Sequence, residues 1–132
     1  MKLLRRVLYW QAALWAATAA ALVAVPGWLM ERVLDQPPLG EDAWLRITGV
    51  TAFALALLMV LVANRLEDVW WWAWAFVILE AGTAAVFVLN ALAGLAEGVA
   101  AWPWWILGAL NALVGAVELA ALARTGVEKP VV

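Results

Sequence analysis

Six polar side chains interrupt stretches of sequence that are otherwise apolar, and each of them could form a buried hydrogen bond, bind a proton or bind a ligand. They are Gln11, Arg46, Glu80, Asn90, Asn111 and Glu118. Charged and amide groups are expensive to place in hydrocarbon, so each predicts either a buried polar contact or a functional role. For Glu80 two interpretations stay open: a proton or ligand site, or a neutral acid that fixes helix register. Glu118 is interpreted as structural, because its side chain can extend toward the nearer membrane face.

The chain contains no His and no Cys. This excludes Ser-His-Asp and Cys-His nucleophiles, disulfides, and metal sites built on imidazole or thiolate ligands. The net charge is −2 and the longest basic run is Arg5-Arg6, so nucleic-acid binding has no electrostatic basis. We therefore predict no catalytic residues, no metal and no cofactor, and we interpret the protein as non-enzymatic.

The composition predicts that the whole chain is embedded in a membrane. Of the 132 residues, 68% are hydrophobic and 14% are charged, whereas soluble domains average roughly 45–50% and 25%. A chain of this size buries too little surface to hide so much apolar area from water. We expect an integral protein of the plasma (inner) membrane with the lipid bilayer as its surroundings.

Four apolar stretches are long enough to cross a bilayer, which takes about 20 residues. They cover about 8–25, 44–63, 70–92 and 103–123, and residues 1–132 are predicted to form one integral membrane domain. The first stretch follows a basic segment typical of a signal peptide, but its apolar run exceeds the usual length, so we interpret it as a retained span. The fold class predicted is all-α, a transmembrane four-helix antiparallel bundle.

Orientation and depth follow from the basic and aromatic residues. One side of the predicted membrane carries six basic residues: Lys2, Arg5, Arg6, Arg65, Arg124 and Lys129. The other side carries two, Arg32 and Arg46. This asymmetry predicts that both termini are cytoplasmic. Most of the 11 Trp residues lie at span ends, which is typical of an interfacial belt. An aromatic ligand pocket is the alternative.

Residues 28–35 separate into a polar and an apolar face at helical spacing. Glu31, Arg32 and Asp35 fall on one arc, and Leu29, Met30, Val33 and Leu34 fall opposite. The pattern predicts a short amphipathic helix lying at the interface between spans 1 and 2. It is interpreted as a connector over the mouth of the bundle, and a lid on a binding site is the alternative.

The polar residues of each span share one stripe with a period near 3.5, the repeat of a left-handed bundle. Depth along the helices predicts that Glu80 and Asn111 meet near the midplane, since spans 3 and 4 are joined by a short loop. At the outer face, Arg46 either pairs with Glu41 or Asp42 or turns inward toward Asn90, and we expect the inward contact. Glu118 is placed level with Gln11, within reach of Arg124 or the Arg5–Arg6 pair.

A family resemblance emerges from these features together. Four spans, a first helix ended by Pro26, an amphipathic segment after it, and the Arg46-Ile47-Thr48-Gly49 opening of span 2 are similar to small DoxX-like and related bacterial four-helix membrane proteins. The resemblance implies a four-helix membrane bundle. Some members of that group are associated with redox or quinone-linked complexes.

Three functions are compatible with this sequence. The first, and the one that we expect, is a structural or accessory protein that binds a membrane-protein partner or a lipid through the bundle. The second, the alternative, is a small proton-coupled transporter acting as a homo-oligomer, with Glu80 as the coupling site. Small multidrug exporters have a similar length, but they carry their essential Glu in the first span, where this chain has only Gln11. A membrane enzyme is the third and least supported.

Overall fold

A computed structural model describes residues 1–93 and 97–128. Four long helices run antiparallel, and the described residues contain no β-strand. Their bounds are α1 Lys2–Ala24, α3 Ala43–Asn64, α5 Ala73–Leu92 and α6 Trp102–Glu128, with short helices α2 Pro26–Trp28 and α4 Leu66–Val69 between them. A π-helical turn, Leu29–Val33, continues α2, and a 3₁₀ turn, Trp70–Trp72, joins α4 to α5. The predicted fold class is confirmed.

Local chemistry explains where these helices begin and end. Pro26 forces the preceding residue out of helical geometry, so α1 ends and Val25 takes φ −139°. The predicted amphipathic segment is helical over residues 26–33, and it ends where Asp35 adopts a left-handed φ of 51°. Asp is one of the few residues other than Gly that enter this region readily. In α6, Pro103 occupies the first turn, where its missing N–H removes no helical hydrogen bond.

All four long helices have the length and hydropathy of membrane spans. Two of them are longer than the sequence predicts. The first begins at Lys2 rather than at residue 8 and includes both arginines of its basic segment, and the last continues to Glu128. Large apolar side chains such as Leu57, Ile78 and Leu113 are more than half exposed, as expected for side chains that face lipid.

The helices pair as two hairpins. In the first hairpin, α1 packs along α3, and in the second, α5 packs along α6. The two hairpins meet mainly through α1 and α6, whereas α3 and α5 have little contact. We call the end that carries Met1 and Glu128 the terminal end, and the end that carries residues 25–42 the loop end. Of the basic residues counted above, Lys129 lies outside the described residues.

The fully buried apolar residues are concentrated toward the terminal end. Four helices contribute Leu4, Leu8, Met59, Phe76 and Leu122, each no more than 2% exposed. The N-terminal ammonium donates to Glu128 Oε2 at 3.1 Å, which ties α1 to α6 at this end. At the loop end, the buried Gln36 amide donates to Ala100 O at 3.1 Å and links the two hairpins there.

Candidate functional site

The polar centre of the bundle is built around Glu80 on α5. Its carboxyl is 2% exposed. Two residues one turn apart on α1 donate to the same oxygen, Glu80 Oε1: Gln11 Nε2 at 2.8 Å and Trp15 Nε1 at 2.8 Å. Because positions i and i+4 share a helix face, α1 presents both donors to α5 together. These two hydrogen bonds join the first hairpin to the second, in addition to the apolar core that the hairpins share.

The fourth helix completes the centre through Gly115 and Glu118. A Cβ atom at position 115 would lie only 3.1 Å from Glu80 Cβ, so the absent side chain is what lets α6 approach Glu80. One turn further along α6, Glu118 is entirely buried and lies beside both Glu80 and Gln11. We call Gln11, Trp15, Glu80 and Glu118 the carboxyl cluster.

Hydrogen bonding within the carboxyl cluster is incomplete. Neither oxygen of Glu118 accepts a hydrogen bond of good geometry within the described residues, although the Gln11 side chain lies beside it, and Gln11 Oε1 accepts none either. All three atoms are acceptors on neighbouring side chains. A buried acceptor without a donor destabilises a fold, so each such atom in a native protein needs an explanation, such as a functional role, an ordered water or an ion. A proton on one carboxyl would convert an acceptor into a donor and allow these side chains to bond to each other.

The predicted contact between Glu80 and Asn111 is wrong. The Asn111 amide donates to Leu107 O of its own helix at 2.7 Å, and the partners of Glu80 come from α1 instead. The reason is axial register: Gly115, one turn beyond Asn111, is the α6 residue at the depth of Glu80. The prediction that Glu80 faces the interior is confirmed.

The predicted approach of Arg46 to Asn90 is also wrong. Arg46 donates to Val23 O at the end of α1 and to Asp42 Oδ2 at 3.0 Å, whereas Asn90 donates to Val86 O within α5. Because α3 packs on α1 and hardly contacts α5, the guanidinium has no route to Asn90. The alternative of a surface pair with Asp42 is the one that the structure contains.

Glu118 was placed level with Gln11 and within reach of arginine, and only the first part holds. Arg5 donates instead to Ala63 O at 3.1 Å and pairs with Glu67 at 3.6 Å. The sequence does not predict that Glu118 lies beside Glu80, nor that Trp15 donates to Glu80. The one available signal was that Gln11 and Trp15 share a stripe on span 1.

Outside the spans, the Asp42–Arg46 pair gives a measurable titration. The hydrogen bond from the Arg46 guanidinium lowers the pKa of Asp42 below its ordinary value. The stabilisation from this pair is therefore present above the ordinary carboxyl pKa and is lost as the pH falls through the lowered value. We expect Arg46→Gln to return the pKa of Asp42 toward normal in an NMR titration. Arg32→Gln, at a basic residue with no ion pair among the described residues, should leave it unchanged.

Two cavities, both wide open at the surface, lie at the ends of the molecule. One of about 510 Å³ is lined by Gly27, Glu31, Leu39 and Asp42 among others, and one of about 410 Å³ by Ala123, Arg124, Val127 and Glu128. Neither includes a residue of the carboxyl cluster. Within residues 1–93 and 97–128, no three His, Cys, Asp or Glu side chains converge as metal ligands.

Comparison with known proteins adds no relative. The sequence matches no family model and no curated protein, and the fold matches no solved structure. Function must therefore be argued from the carboxyl cluster and from the distribution of charge.

Proposed function

We propose that this chain is a small proton-coupled protein of the plasma membrane, acting as a transporter in an oligomer. The observation that carries the proposal is the pair of buried carboxyls, of which Glu118 has no hydrogen-bond partner for either oxygen. Intramembrane acids that face a bundle interior are characteristic of proton relays and pumps. No catalytic role is proposed for these residues.

A proton is the ligand that this geometry fits best. Glu80 and Glu118 lie side by side in an apolar interior, where two ionised carboxylates would repel strongly. One shared proton removes a charge and supplies the donor that Glu118 and Gln11 lack. Since the two bonds from α1 to Glu80 join the hairpins, gain or loss of that proton changes the strength of these bonds and so the attraction between the two hairpins. This links protonation to their relative position, as coupled transport requires.

The charge distribution supports cytoplasmic termini. The terminal end carries the basic residues Lys2, Arg5, Arg6, Arg65 and Arg124, together with the acids Glu67, Asp68 and Glu128. The loop end carries two basic residues, Arg32 and Arg46, together with Glu31, Asp35, Glu41, Asp42 and Glu97. Basic residues are retained on the cytoplasmic side during insertion. The loop end then faces the opposite side of the membrane.

Reporter fusions test this orientation. A reporter that is active only outside the cytoplasm should be active when fused after Gly40 and inactive when fused at the C-terminus. A reporter that fluoresces only in the cytoplasm should show the reverse pattern. Cytoplasmic fluorescence from the fusion after Gly40 would contradict the proposed topology.

An accessory role is the second candidate. It is favoured by the position of the two cavities, both at the ends of the bundle and neither beside the carboxyl cluster. In that case, the chain would bind a membrane-protein partner or a lipid, and the carboxyl cluster would only regulate the packing of the hairpins. Native mass spectrometry after mild-detergent extraction distinguishes the two. A self-oligomer supports the transporter, and a fixed complex with another protein or lipid supports the accessory role.

Proton binding is tested by infrared titration of the purified protein in lipid vesicles. We expect a protonated carboxyl band that is lost at high pH and is absent in Glu118→Gln or Glu80→Gln. The matched control is Glu31→Gln at the loop end, which should leave the band intact. A spectrum without a titrating buried acid would contradict the proposal and would mean that a neutral donor satisfies the cluster.

Coupling is tested in vesicles that contain a pH-sensitive dye. A panel of small organic cations, amino acids and sugars is imposed as outward gradients one at a time. At least one solute should drive proton movement in the wild-type protein, and Glu118→Gln should abolish it. Proton binding without any solute-driven flux would favour the accessory role.

A further inference from the structure

We infer that the carboxyl cluster exchanges its proton with the loop end, along a polar track formed by Thr83 on α5 and by Asn111 and Trp104 on α6. The inference rests on the proposed function and deepens it by giving the site one side of access. Thr83 lies one turn from Glu80, and Asn111 and Trp104 lie two and four turns from Glu118. Helical spacing therefore places all three on the stripes that carry the two acids.

Access from the terminal end is closed by apolar packing. Between the cluster and that end, the interior is filled by Leu4, Leu8, Ala73, Phe76 and Leu122, each at most 2% exposed. Close-packed protein interiors contain few voids as large as a water molecule. These side chains have no polar atoms. The buried polar side chain on this side of the cluster, Thr125 on α6, is 0% exposed and donates to Ala121 O of its own helix at 3.0 Å. Because Thr125 and its apolar neighbours are almost fully excluded from solvent, they offer water no entry to Glu118 from the terminal surface.

Toward the loop end, the same stripes are polar and only partly buried. Thr83, Asn111 and Trp104 all have intermediate exposure. Thr83 and Asn111 each donate to their own helix, which leaves their side-chain oxygens as acceptors for water. Trp104 Nε1 is a buried donor without a partner among the described residues. Going from Glu80 toward the loop end, the stripes thus offer two side-chain acceptors, at Thr83 and Asn111, and then one unpartnered donor, Trp104 Nε1, whose ring packs against Phe87 at a centroid distance of 5.7 Å.

Charged groups around the cluster do not interfere with this assignment. The acids are Glu80 on α5 and Glu118 on α6, and α1 faces them with the neutral Gln11 and Trp15. The one charged residue of α3, Arg46, is at the loop end and bonded to Val23 and Asp42. Among the described residues, these two carboxyls are therefore the ionisable groups at this depth.

Cysteine accessibility tests the inference directly, because the chain has no Cys of its own. Single variants Thr83→Cys and Asn111→Cys of the full chain are placed in sealed vesicles and exposed to a charged, membrane-impermeant thiol reagent from each side. Leu39→Cys and Asp68→Cys report which side is which. We expect positions 83 and 111 to react only with reagent on the side that labels position 39.

Two controls separate water from lipid and from packing. Leu113→Cys, on the lipid-facing side of α6 where Leu113 is 62% exposed, should not react, because the reagent needs an aqueous thiolate. Ala73→Cys, in the sealed half, should also be unreactive from both sides. If positions 83 and 111 are as unreactive as position 113, the inference is overturned, since the track then faces lipid.

Failure of this inference and failure of the proposed function give different results. If infrared titration shows a buried titrating acid while position 73 is labelled from the terminal side, access is assigned to the wrong end and proton binding stands. If labelling follows the expected pattern but no acid titrates, the proton-coupled function fails and the track remains as an aqueous entry. If labelling follows the expected pattern, modification of Asn111→Cys should also slow proton exchange at the carboxyl cluster. The same reagent added to Leu113→Cys should have no effect on this exchange.

Discussion

Gly49→Leu is expected to force α1 and α3 apart and to destabilise the first hairpin by at least about 1–3 kcal/mol, the usual range for overpacking. A Cβ atom at position 49 would lie 2.7 Å from Val23 Cγ2 and 3.0 Å from Ala19 O. The Val23 side chain can rotate, but Ala19 O is helix backbone and moves only if α1 moves. Small residues at such positions are what allow membrane helices to approach closely. Even Gly49→Ala should therefore weaken the hairpin.

Gly82 supplies the matched control. It lies on α5, and nothing is within 4 Å of a Cβ placed there, so Gly82→Leu should be tolerated or slightly stabilising through its better helix propensity. The free energy of unfolding is measured for both variants by denaturant titration in mixed lipid–detergent micelles. Equal stability of the two leucine variants would show that the approach of α1 and α3 is not limiting.

The helices were predictable because their signals are local. The sequence predicts span 2 over 44–63 and the helix is found as Ala43–Asn64, since a mainly apolar run, in which Arg46 is the one charged residue, is bounded by Asp42 and Arg65. The first span was predicted to begin too late because apolarity, not helicity, defined it. Arg5 and Arg6 are good helix formers, and the helix continues through them to Lys2.

Inward orientation was also predictable, whereas partner identity was not. Gln11, Glu80 and Glu118 each occur on a polar stripe, and each is at most 2% exposed. Which residues meet depends on the axial shift and rotation of one helix against another. The periodicity of the sequence contains no information on either quantity. The distance between Asn111 and Gly115 is about one helical turn, roughly 6 Å. An axial error of that size is enough to predict Asn111 beside Glu80 in place of Gly115, and to miss that Glu118 lies beside Glu80.

The same limit applies to Arg46. Its stripe shows that it faces another helix, but not which one, because a four-helix chain can close with α3 next to either α1 or α5. In the structure α3 packs against α1, with the close contact at Gly49. The guanidinium then reaches the free carbonyl of Val23 at the end of α1, a group that needs a donor in any case.

Glu80→Met and Glu118→Met, the same substitution at two buried acids, are expected to change stability in opposite directions. Loss of the Glu80 carboxyl removes the acceptor for Gln11 Nε2 and Trp15 Nε1. Buried hydrogen bonds in membrane bundles contribute about 0.6–2 kcal/mol each, so Glu80→Met should destabilise the contact between the hairpins by about 1–4 kcal/mol. Glu80→Gln keeps an acceptor and should lose much less.

Glu118→Met should be neutral or stabilising. Neither Glu118 oxygen accepts a hydrogen bond from the described residues, so the substitution removes unsatisfied atoms without orphaning a donor, and Met fills a similar volume. A residue that weakens its own fold is expected at a functional site, where stability is exchanged for activity. Glu118→Met should accordingly raise the free energy of unfolding by up to about 1–3 kcal/mol while abolishing the titrating infrared band.

Stability and titration together identify the role of Glu118. Both variants and the wild-type protein are unfolded reversibly in lipid–detergent micelles at neutral pH, and their infrared spectra are recorded in vesicles. If Glu118→Met is as destabilising as Glu80→Met, then Glu118 has a stabilising partner, and the argument for a proton site loses its main support. If Glu118→Met is stabilising and removes the band, the buried acid is held in the bundle at the expense of stability. That combination is expected of a carboxyl that binds and releases a proton and is not explained by a role in helix register.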